Sequence, residues 1–137
     1  MPFSTAIDNE ILDHFTGKTT WTAPVATYIG LSSTTPTKTG TNVTEPSGNG
    51  YARSEVTGVQ WDSAASGATA NNAEESLGTA TADWLSAANL THMVIYTAVT
   101  AGTFIGSKAL TVAKPVTNGD VAKFPIGDID LVMGGTA

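Results

Sequence analysis

Residues 91–97 read Thr-His-Met-Val-Ile-Tyr-Thr, and this stretch decides the fold class. Met93 and Ile95 alternate with three residues that point the other way, and a period of two in β-branched and aromatic residues is typical of a strand. The same alternation recurs at residues 25–31, which read Val-Ala-Thr-Tyr-Ile-Gly-Leu. Both stretches therefore predict strands with one face in the core.

Further strand patterns follow along the chain, separated by turn residues such as those at 118–120, Asn-Gly-Asp. They lie at residues 51–57, 73–82, 104–112 and 121–133, the last with Pro125 and Gly127 as a bulge or an edge. Roughly eight short strands predict an all-β fold, a jelly-roll-like β-sandwich. The predicted core contains Ile29, Leu31, Val56, Met93, Ile95, Ile129 and Leu131.

One helix is predicted, over residues 4–16. Ser4 is its N-cap, and Ile7, Ile11 and Phe15 recur at the spacing of an apolar helical stripe. A helix of about three turns is marginal in isolation, so this one must pack on its own domain or dock on a partner as an arm. Both alternatives stay open at this point.

Composition limits the classes of protein that fit. The chain has 137 residues, which is the size of one domain, 1–137, and it contains no cysteine for disulfides or a thiolate zinc site. Its net charge is −6, with only 6 basic residues, which argues against nucleic acid and against an anionic membrane surface. It has neither an apolar run long enough for a membrane span nor the pattern of a signal peptide.

No catalytic motif is found, so we predict no enzyme activity, no cofactor and no metal site. His14 and His92 are too far apart in sequence to form a recognisable metal pair. Asp128 and Asp130 would share one face of a strand, and we assign them to the solvent or interface side rather than to calcium. Glu74 and its neighbour point opposite ways in a strand, so they are no glycosidase dyad.

The aromatic residues allow two interpretations. Trp21, Trp61 and Trp84, with the tyrosines, fit core or interface anchors best, and a platform that stacks on sugars is the alternative.

Two segments carry the predicted interface. The N-terminal 17 residues hold more apolar surface than one face of a short helix hides, and the loop Thr34–Gly50 is too polar to form a core of its own. Arg53, the one arginine, is predicted to form a salt bridge or to donate to carbonyl groups of a loop, within the chain or across a subunit boundary, and a solvated surface arginine is the alternative. The predicted interface residues are Phe3, Ile7, Ile11, Val43, Tyr51 and Arg53.

The order of several short pieces resembles a family of small virion proteins of tailed bacteriophages, whose members are labelled as tail-fibre, minor structural or capsid decoration (cement) proteins. The most specific pieces are Gly50-Tyr51-Ala52-Arg53, Asp83-Trp84 with Thr91-His92, and Gly119-Asp120 with Phe124-Pro125. The resemblance extends from Asn9 to Leu131, and residues 71–78 depart from it.

The resemblance implies a jelly-roll-like sandwich that self-associates and coats the phage head. The implied partners are the major capsid protein and further copies of the chain, as a homotrimer or, failing that, a dimer. The implied location is the outer capsid surface of a virion assembled in the bacterial cytoplasm. The alternative is a tail fibre or spike component that contacts a host glycan.

Overall fold

The structure is a computed structural model that describes residues 1–134. These residues form one α-helix and eight strands, which confirms the all-β fold with a short helix. No helix among them is both long and apolar enough to cross a bilayer. The elements are α1 (Thr5–Phe15), β1 (Ala26–Ser32), β2 (Ser54–Thr57), β3 (Ala68–Ala70), β4 (Glu75–Thr79), β5 (Leu90–Tyr96), β6 (Phe104–Lys114), β7 (Val121–Phe124) and β8 (Asp130–Val132).

Four antiparallel strands form the main sheet, in the order β2-β1-β5-β6. The two strands with the clearest alternation lie at its centre, where Ile29 is opposite Ile95 and Leu31 is opposite Met93. Because directly opposed side chains on one face contact each other, these four residues form a continuous apolar face.

The remaining strands form two antiparallel ribbons, β3 with β8 and β4 with β7. A jelly roll places eight strands in two four-stranded sheets. Residues 1–134 form one four-stranded sheet and two ribbons, so the jelly-roll arrangement is not confirmed.

The core lies where the ribbons pack on the main sheet. Leu77 of β4, Phe124 of β7 and Ile129 belong to the same buried cluster as the apolar face of the sheet. Six of the seven predicted core residues are buried, and Leu131 is partly buried against the same cluster.

The loop Thr34–Gly50 covers part of the opposite face of the main sheet. A Cβ atom on Gly30 of β1 would lie 2.6 Å from both the Glu45 carboxylate and the Tyr51 hydroxyl, so a side chain there would have to displace these two groups. Val94 of β5 is fully buried. The main sheet is therefore buried on both faces at its centre.

The helix begins as predicted. Ser4 caps it by accepting a hydrogen bond from the Ile7 N–H at 3.3 Å, and Ile7 is buried. Phe15 does not share the buried stripe and is 88% exposed. At 3.6 residues per turn it lies about 80° round the helix from Ile7, which turns it away from the sheet.

Several strand boundaries differ from the predictions: the predicted strand 73–82 is only Glu75–Thr79, the strand from Phe104 runs on to Lys114, and β3 lies in a stretch for which no strand was predicted. Val25 precedes β1 and is exposed, and residues 51–53 precede β2 because Tyr51 and Arg53 lie in the loop structure described below. The predicted strand 121–133 is two strands. A turn in which the Asp128 N–H donates to the Pro125 carbonyl, with Gly127 at φ +84°, separates them, so β7 and β8 pair with different partners.

Candidate functional site

Arg53 is the centre of the most connected polar cluster. Its Nε and Nη2 donate to the two carboxylate oxygens of Glu45, each at 2.8 Å. Its Nη1 donates to the carbonyl groups of Ala98 and Ala101, also at 2.8 Å. The guanidinium carbon lies 3.7 Å from the centre of the Tyr96 ring. The prediction was a salt bridge or carbonyl contacts, and Arg53 makes both within its own chain.

Burial and pairing both act on this group. Burial alone lowers the pKa of Arg53, but the hydrogen bonds and the charge of Glu45 outweigh it and raise the pKa. The Arg53 side chain is 8% exposed and Glu45 is 18% exposed. A bidentate pair with so little water around it is a strong, directional contact.

Tyr51 extends the cluster toward the core. Its hydroxyl donates to Glu45 and accepts from the Leu31 N–H at 3.1 Å, and its ring meets Trp84 edge-on at 5.0 Å. The pKa of Tyr51 is strongly raised, first by burial and then by the negative charge of Glu45. The phenol therefore stays protonated as a hydrogen-bond donor.

The cluster holds two loops together. One is the loop Thr34–Gly50, through Glu45, and the other is residues 97–103, through the carbonyls of Ala98 and Ala101. Their surfaces line a shallow cavity of about 300 Å³, at whose edge Val99 is 51% exposed. We call residues 43–50 with 97–103 the loop platform.

The long loop is also ordered by its own threonines. The Thr34 hydroxyl donates to the Asn42 carbonyl at 2.7 Å, and the Asn42 amide donates to the Thr35 carbonyl at 2.8 Å. Gly40, at φ +80°, lies against Phe104. These contacts fix the loop on its own chain, although it has almost no apolar residues.

The six predicted interface residues fall into two groups. Tyr51 and Arg53 meet in the cluster, and half-buried Val43 lies in the long loop beside it. Ile7 is buried, and Phe3 with Ile11 packs partly buried against the core. Their role in contacts with another protein stays a prediction.

Sequence reasoning did not assign Glu45 and Tyr96 to the site. Glu45 lies eight residues before Arg53, in a loop without periodicity, so spacing alone gave no reason to pair them. The available signal was a lone arginine in a chain with few charges, which needs an acidic partner when it is buried.

The remaining candidate residues from the sequence are the tryptophans, the acidic pair and the possible metal ligands. Trp84 is buried, and Trp21 and Trp61 are half-buried. Asp130 forms ion pairs with Lys108 and, at 2.7 Å, with the amino group of Met1. Within residues 1–134 no three His, Asp or Glu side chains are grouped closely enough to hold a metal ion.

A second cavity lies between β6 and β7. Its volume is about 490 Å³, and we call it the β6–β7 groove. Its residues include the apolar Leu110, Val112, Val121 and Ala122 and the basic Lys114 and Lys123.

These features define a small all-β protein whose buried polar groups fix the positions of its loops. In a comparison with protein-family models, residues 2–132 match the family described as podophage GP4 fiber I protein gp80. The chain belongs to this family of tailed-phage structural proteins, which confirms the resemblance in its sequence and makes it virion-associated. A comparison with curated proteins found no match.

Proposed function

We propose that the protein decorates the phage head and stabilises it by bridging subunits of the major capsid protein. The supporting observation is the loop platform, in which Arg53 links two loops so that their surface is ordered before a partner binds. A surface whose loops are already ordered loses little conformational entropy on binding, so more of the contact energy appears as affinity.

The surface chemistry of the platform suits a protein partner. Val99 is exposed at its edge, and backbone groups and small polar side chains surround it. The charges of Glu45 and Arg53 neutralise each other below the surface. Attachment of many copies across a lattice then adds stability even when each contact is modest.

The second candidate is a component of a tail fibre. The description of the family as a fiber protein favours it. A fibre that recognises a glycan would use a concave site with convergent polar and aromatic groups. The two cavities described above contain Tyr51 and Phe124 as their aromatic residues, and both belong to the packing of the fold.

Copy number and location in purified virions separate the two functions. We expect quantitative mass spectrometry to give a copy number comparable with that of the major capsid protein, and immunogold labelling to mark the head. A copy number close to that of single tail proteins, with label at the tail, would support the fibre function instead.

A variant tests the platform itself. Val99→Asp places a charge on the exposed edge and is expected to abolish binding to heads that lack the protein. Val59→Asp is the matched control, because Val59 is 85% exposed and lies outside the platform. Equal binding by both variants would remove the platform from the contact.

A further inference from the structure

We draw no further inference here: the strongest candidate, the β6–β7 groove with its apolar walls, is lined by two lysines that Asp120 and Asp128 balance, and nothing in the structure shows what covers it.

Discussion

Arg53 uses three guanidinium nitrogens at once, and no other side chain has that geometry. Arg53→Lys keeps the charge, but one ammonium group cannot donate at once to both carboxylate oxygens of Glu45 and to both carbonyl groups. We expect the free energy of unfolding to fall by about 2–4 kcal/mol, because hydrogen bonds to charged groups are worth about 1.5–3 kcal/mol each and a buried partner is left unpaired. Urea unfolding followed by tryptophan fluorescence measures it.

The control for this change is Lys38→Ala. Lys38 forms an exposed ion pair with Asp8, and such pairs contribute about 0–1 kcal/mol. If Arg53→Lys cost no more than Lys38→Ala, the cluster would not stabilise the loops.

Gly30 gives a second test at the scale of one residue. A Cβ atom there would lie 2.6 Å from Glu45 and Tyr51, and relieving such overpacking typically costs about 1–3 kcal/mol. Gly30→Ala should destabilise the protein by that amount in the same assay. Gly58→Ala is the matched control, because no atom outside its chain neighbours lies within 4 Å of the added carbon. Equal stability of both variants would contradict the close packing over Gly30.

The sequence predicted the type of contact that Arg53 makes but not its partners. Arginine chemistry is local and can be read from one residue, whereas Glu45 and the carbonyl of Ala98 reach Arg53 from two separate loops. That meeting depends on the fold as a whole, and no spacing in the sequence encodes it.

Ser4 connects two elements, the helix and strand β6. Its hydroxyl accepts from the Ile7 N–H and donates to the Phe104 carbonyl at 2.6 Å, in a buried position. Ser4→Ala should lower stability by about 1–2 kcal/mol, since loss of an N-cap costs about 0.5–2 kcal/mol and the buried Phe104 carbonyl loses its donor as well. Thr16→Ala, at the exposed other end of the helix, should cost less in thermal unfolding. A smaller loss for Ser4→Ala than for Thr16→Ala would exclude the cap as a stabilising contact.

Asp130 joins β8 to β6 and to the start of the chain. Burial raises its pKa, but Lys108 and the Met1 amino group outweigh burial, so the pKa is lowered. A carboxylate with a lowered pKa contributes stability that is complete above its unfolded pKa of about 3.9 and is lost as the pH falls through the folded value. The urea midpoint of the wild type should therefore fall below about pH 4 more steeply than that of Asp130→Asn. If the wild type and Asp130→Asn gave parallel pH profiles, the ion pairs of Asp130 would not stabilise the fold.

Local periodicity in the sequence was enough to predict the central strands and the helix, but not the residues at which the strands begin and end. The alternation in β1 and β5, and Ser4 before α1, predicted elements that the structure contains. Val25 continues the alternation of β1 but precedes the strand, because pairing with β2 begins at Ala26. The turn at Gly127 separates β7 from β8, and their partners lie far away in sequence, where pattern carries no information.

The whole molecule has few charges, which sets the expected response of head attachment to salt. If the loop platform contacts the head through Val99 and backbone groups, the contact contains few charge–charge interactions that salt could weaken. Raising the salt from about 0.1 M to about 1 M shortens the Debye length from about 10 Å to about 3 Å. Binding of the purified protein to heads that lack it, measured by co-sedimentation, should then change by less than about threefold, since apolar contacts are not weakened by salt. A head protein attached through exposed ion pairs would dissociate under the same conditions, and that result would exclude the platform as the main contact.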